Sequence, residues 1–189
     1  MKLNDARTSR RRLLGAFAGV AVISAAPVYA NAAGFLRSAG DVRRISMRNS
    51  RTGETIDTIY WIEGEYILPA LKEVNYFMRD WRQEEVISYD RRNIDILAAS
   101  HRLMETTEPY QLLSGYRSPQ TNAALRARSK GVASNSYHIR GMAADVRLKS
   151  RSVSQMASAG SACNSGGVGK YNGSNFVHMD CGPIRSWRG

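Results

Sequence analysis

Residues 136–145 read Ser136-Tyr137-His138-Ile139-Arg140-Gly141-Met142-Ala143-Ala144-Asp145, and this stretch decides how the rest of the chain is read. The chain has only three histidines, so each one counts. Taken as loop, turn and strand, the segment brings the His138 imidazole toward the Asp145 carboxylate. Gly141 permits the turn, and the small Ala143 lets the backbone pack closely. Further on, Phe176-Val177-His178-Met179-Asp180 alternates, so Phe176, His178 and Asp180 share one strand face. Two imidazoles and one carboxylate form a catalytic zinc set, with a fourth position open to water. Zinc brings the pKa of that water to about 7 and so supplies a hydroxide nucleophile. The third histidine, His101, follows helical spacing and is read as a core or surface residue.

Around these motifs the chain mixes helices and short strands. Ile45–Arg48 alternates as a half-buried strand, Asn49–Gly53 is a turn cluster, and Thr55–Ile62 is β-rich, which together predict a hairpin closed by a turn at Glu63-Gly64. Pro69 opens a helix expected to run to Trp81, with Leu71, Val74, Phe77 and Met78 on one face. Asp90 is a plausible N-cap for a second helix carrying Ile94, Leu97 and Ala98. Tyr110–Leu113 is a short strand ending in Ser114-Gly115-Tyr116-Arg117. Ser118-Pro119 then caps and opens a helix through Ser129, which Gly131 ends. Strands are expected at Ala143–Leu148 and Asn175–Asp180. The Ser/Gly/Ala-rich residues 150–168 between them read as loop or cleft wall. With no βαβ rhythm, the fold class expected is α+β, a small antiparallel sheet with flanking helices. Pro183 and Trp187 are expected to pack the end of the chain.

The net charge of +11 suggests a nucleic-acid binder until it is divided along the chain. Residues 1–30 carry Lys2, Arg7, Arg10, Arg11 and Arg12 against Asp5, then an apolar stretch from Leu13 to Ala26, then Val28-Tyr29-Ala30, with Ala30-Asn31-Ala32 as a second cleavage option. That order is an export signal, with an uncleaved amphipathic anchor as the alternative. Ser9-Arg10-Arg11-Arg12-Leu13-Leu14 has the look of a twin-arginine signal. Residues 31–108 are close to neutral, whereas Asp145 and Asp180 are the only carboxylates from 109 onward. Such a half-domain presents a positive field to an anionic ligand. Export to the periplasm removes nucleic acid as a partner, and no apolar run reaches the ~20 residues of a membrane span, leaving no span after signal cleavage. In an oxidising compartment Cys163 and Cys181 are expected to form a disulfide worth about 3 kcal/mol, with Cys181 as a zinc ligand the rival reading.

The pattern Ser136-x-His138-x-x-Gly141-x-Ala143-x-Asp145, with Phe176-Val177-His178-x-Asp180 and the upstream Ser114-Gly115-Tyr116-Arg117-Ser118-Pro119-x-Thr121-Asn122, resembles the zinc D-Ala-D-Ala carboxypeptidases and murein endopeptidases of the Hedgehog/DD-peptidase fold. It is most similar to their single-domain bacterial murein endopeptidase branch, over roughly residues 43–187. The resemblance implies one zinc ion held by His138, Asp145 and His178, and Arg117 on a substrate carboxylate or carbonyl oxygen. Ser136 is placed beside it on the substrate side, as a residue fixing the loop and not as a nucleophile. Relatives often carry a Glu, Asp or His just before the last zinc histidine as general base, where this chain has Asn175 and Phe176. That leaves Asp180 as base, as orienter of a metal ligand, or as partner of a salt bridge to Arg185. The expectation is an exported zinc peptidase domain over 31–189, acting on peptidoglycan cross-links, its recruiting partner unspecified. A D,D-carboxypeptidase and a non-catalytic zinc-containing wall-binding module are the alternatives.

Overall fold

The computed structural model describes residues 40–129 and 131–189. The export signal expected over residues 1–30 lies outside the described residues. The element order is β1 (Val42–Asn49), β2 (Thr55–Ile62), β3 (Glu65–Tyr66), α1 (Leu68–Phe77), α2 (Arg91–Leu103), β4 (Tyr110–Ser114), α3 (Pro119–Arg128), a 3-10 turn (Tyr137–Arg140), β5 (Ala143–Arg147), α4 (Val153–Ala162), β6 (Gly167–Tyr171), β7 (Phe176–Asp180) and β8 (Arg185–Arg188).

The strands form one sheet in the order β3-β2-β1-β4-β5-β7-β6-β8. It is neither small nor purely antiparallel. β4 runs parallel to β1, and β8 runs parallel to β6. The first parallel pair is possible because α1 and α2 supply the long crossover that parallel strands need. The protein is therefore mixed α/β.

Period-two patterning decides which face is buried. Ile45, Met47, Tyr60, Tyr110, Leu112, Val146, Val177 and Met179 point into the core, where α2 and α4 pack. Their neighbours Ser46, Arg48, Gln111, Asp145, Arg147 and Phe176 are half-buried or exposed. The helix starts follow local chemistry. Asp90 accepts from Arg92 N, and Ser118 accepts from Thr121 N with Pro119 next in line.

Two of the expected segments need correction. Residues 150–168 are not a loop: Ser152 and Gln155 make a reciprocal capping box, and Val153, Met156, Ala159 and Gly160 form one buried side of α4. The first helix stops at Phe77, before Trp81, and the fully buried Asp80 beyond it accepts from Arg82 N and Ser118 N. The third ends at Arg128 with Ser129 as its C-cap, as expected.

The expected Cys163–Cys181 disulfide is also absent, for both thiols are free and buried. Cys163 closes α4 beside the carbonyls of Ala159 and Ile96, whereas Cys181 faces the Met142 carbonyl. Loop length sets the entropy a bridge would save, but side-chain direction decides whether it can form. Burial pushes both thiols up to about 12, which makes them inert.

Candidate metal centre

His138 sits in the 3-10 turn. Ser136 starts that turn by accepting from His138 N, and Gly141, at φ 63°, ends it in the left-handed region. A side chain at Gly141 would also collide with Ile87. Ser136 is thus a loop-fixing residue at the edge of the cavity. The turn delivers a fully buried His138, 1% exposed, whose Nδ1 meets the Gly115 carbonyl at 2.7 Å. Gly115 itself approaches Met78 so closely that no Cβ would fit. Asp145 and His178 are brought together differently, as directly opposed residues of the antiparallel pair β5–β7.

The three side chains converge. His138 Nε2 is 3.2 Å from His178 Nδ1 and 3.2 Å from Asp145 Oδ1, and His178 Nδ1 is 2.9 Å from the same oxygen. Donors about 2.1 Å from a tetrahedral zinc lie about 3.4 Å apart, close to this spacing.

The outer partners fix which atoms can act as ligands. Gly115 O can only accept, so His138 carries its proton on Nδ1 and offers the Nε2 lone pair. Asp180 Oδ2 lies 2.9 Å from His178 Nε2, so His178 offers Nδ1. Three donor atoms therefore converge on one point, where a metal ion, or without it a proton shared by His178 Nδ1 and Asp145, can sit between them. Burial disfavours a charge on His178, but its hydrogen bonds to Asp145 and Asp180 outweigh this and push it up to about 9. Burial would likewise raise Asp145, yet the two imidazoles hold the carboxylate far below its usual range. Burial pushes His138 down, keeping it neutral and fit to bind a metal.

Asp180 is placed apart from this convergence. It is fully buried, and its two oxygens accept from His178 Nε2, both Arg185 terminal nitrogens, Gly182 N and Gly167 N. Orienter and salt-bridge partner are both realised. The carboxylate expected as base or orienter is thus already met by five hydrogen bonds. Asp180→Asn should leave the fold standing and weaken zinc binding about 10- to 100-fold, read by competition with a chromogenic chelator.

Arg117 projects into the same cavity, which has a volume of about 720 Å³. It is 9% exposed, and its Nε has no hydrogen-bond partner. Its nearest carboxylate oxygen, Asp145 Oδ2, lies 3.7 Å away. Burial lowers its pKa against the attraction of Asp145. Among the described residues that line the cavity, Asp145 is the sole carboxylate. His101 has no place here; its Nε2 bonds the Glu108 carbonyl at 2.7 Å.

The pattern left Trp187 as terminal packing and passed over Tyr171. Both line the cavity. Trp187 lies in register with Gly169 on β6, and Arg185 with Gly167. A Cβ on either glycine would strike the facing side chain, so the two glycines form a gutter across which Trp187 reaches His178 and Arg185 reaches Asp180. The signal for this was Gly167-x-Gly169 followed by Arg185-x-Trp187, two alternations of the same period.

Two imidazoles and a carboxylate in an open cavity beside a buried arginine define a candidate metallohydrolase centre. The comparisons with known proteins narrow that class. The family described as peptidoglycan L,D-endopeptidase MepK matches residues 37–187, and the chain belongs to it. The peptidoglycan L,D-endopeptidase MepK of Escherichia coli K12 is 39% identical over 186 residues, covering 97% of this chain and 100% of the relative. The probable peptidoglycan L,D-endopeptidase MepK of Haemophilus influenzae KW20 Rd is 36% identical over 148 residues, covering 78% of this chain and 80% of the relative.

Proposed function

We propose that the protein is an exported, zinc-dependent murein endopeptidase that cleaves peptide cross-links of peptidoglycan at a bond joining an L-centre to a D-centre. The convergence of His138 Nε2, His178 Nδ1 and Asp145 Oδ1 carries this reading, because each imidazole has its proton fixed on the far side by an acceptor. The bond type follows the names of the relatives. A Hedgehog/DD-peptidase-like fold over 31–189, preceded by an export signal over 1–30, accords with this assignment. Among the described residues no helix is long and apolar enough to cross a membrane.

When bound by these three residues, zinc supplies a Lewis acid and a water acidic enough to attack at neutral pH. The chain does the rest. The Gly115 carbonyl and Asp180 keep both imidazoles in ligand geometry. Arg117 offers a rigid, permanently charged fork to a carboxylate or carbonyl oxygen of the stem peptide, and its unpartnered Nε suits it to that task.

Beyond the cavity, Arg48, Gln111 and Arg147 stand side by side across β1, β4 and β5 on the sheet face opposite α2 and α4. This basic row extends the positive surface toward a carboxylate-rich polymer. Arg48→Glu/Arg147→Glu should cut pelleting with insoluble sacculi at least fivefold at low salt, while hydrolysis of small soluble cross-linked fragments stays within about twofold.

The deciding experiment is the product profile of purified protein on cross-linked muropeptides, with and without chelator. Conversion of dimers to monomers, lost on chelation and restored by zinc, is the expected result. Release of terminal D-Ala alone would make it a carboxypeptidase. Sacculus binding with no chelator-sensitive product would make it a binding module.

A further inference from the structure

We infer that the Tyr171 hydroxyl is a catalytic hydrogen-bond donor, holding the scissile carbonyl oxygen as negative charge builds on it. This rests on the peptidase reading above. Tyr171 ends β6 and lines the cavity with Arg117 and the three metal-site residues.

The phenol is held from three sides. Phe176 stacks on its ring at 4.4 Å and 9°. The backbone of Gly189 passes so near that a Cβ there would run into the ring. Trp187 Nε1 donates to the phenolic oxygen at 3.0 Å, and the same indole lies 5.3 Å from the His178 ring. One side chain thus ties the phenol to a metal-site residue.

None of these restraints uses the phenolic proton. A tyrosine hydroxyl has one proton to give. With its oxygen accepting from Trp187, that proton points away from the indole, and accepting a hydrogen bond polarises the O–H and makes it a better donor. The hydroxyl's only hydrogen bond among the described residues is the one it accepts from Trp187. The cavity has no carboxylate besides Asp145 and therefore relies on fixed donors to meet developing charge.

The chemistry balances without consuming the donor. Water oxygen bonds to the carbonyl carbon, and the C=O electron pair moves onto oxygen. That pair returns as the C–N bond breaks, and the leaving amine takes a proton from the attacking water. Tyr171 gives a hydrogen bond throughout and keeps its proton.

Tyr171→Phe removes the hydroxyl and keeps the ring. We expect kcat to fall about 100-fold with KM within twofold, and zinc content and Tm unchanged. Affinity for a phosphinic peptide, a tetrahedral mimic, should fall by a similar factor, while affinity for the product peptide should hold. Trp187→Phe, which loses the orienting N–H together with part of the ring packed over Gly169 and beside His178, should lower kcat at least tenfold. Unchanged kcat and unchanged phosphinate affinity in Tyr171→Phe would overturn the inference, as would a loss that follows KM, zinc or Tm. A wild-type protein inactive on every cross-linked substrate would instead sink the peptidase reading, and the phosphinate comparison would still judge Tyr171.

Discussion

His138→Ala should yield a protein that no longer retains zinc through dialysis and has no measurable hydrolysis of cross-linked muropeptides. The expected loss in metal affinity is about 1000-fold or more, since one of three protein donors disappears. The two that remain, Asp145 and His178, still face each other across β5 and β7, but His138 alone reaches them from outside the strand pair. Truncating a fully buried imidazole also leaves a cavity and an unpaired Gly115 carbonyl, so some stability will go. Asp145→Asn separates the two effects, because it keeps the volume and removes only ligand charge. Zinc analysis and thermal melts of both variants settle the point. Full zinc occupancy in a folded His138→Ala protein would reject the site.

Arg117→Ala should behave in the opposite way toward the fold. The guanidinium is buried with an unsatisfied Nε, and a buried charge lacking hydrogen bonds costs stability. Its removal should leave the Tm of the zinc-loaded protein equal or a few degrees higher. Activity should fall nevertheless, by about 100- to 1000-fold in kcat/KM, with zinc content unchanged. Arg117→Lys should recover little, since an ammonium does not reproduce the planar fork. A stable variant with lost activity would mark Arg117 as kept for substrate at the expense of the fold. A destabilised variant with normal kcat/KM would reduce it to a structural residue.

The three residues that converge in the cavity were legible because their chemistry is rare in this chain. Two of its three histidines lie within seven residues of Asp145 and Asp180, the only carboxylates from residue 109 onward. Caps at Asp90 and Ser118 were legible because they act within one turn. The remainder depended on distant partners. Asp180 could be base, orienter or ion-pair partner until Arg185 was placed beside it by the parallel β6–β8 pair. Residues 150–168 looked like loop because small residues dominate, although the helix needs them: Gly160 lies within van der Waals reach of Met179 and Val168, where a larger residue would hold α4 off the sheet. β6 and β8 escaped notice because one is glycine-rich and the other is only four residues long. The thiols were misjudged because compartment and spacing carry no information on which way a side chain points.

The glycine gutter makes positions 167 and 185, and 169 and 187, inherit together. A side chain at 169 and an indole at 187 compete for one volume, so each excludes the other whatever the merits of either. Across related chains the loss of Gly169 should therefore coincide with a small residue at 187, and with a different way of steadying His178. Swapping one partner at a time should be costly, and swapping both should be milder than the sum, a coupling that a double-mutant cycle measures directly. The two glycines, on the strand next to the one that carries His178, thus serve as a record of which supporting side chains a given lineage can use.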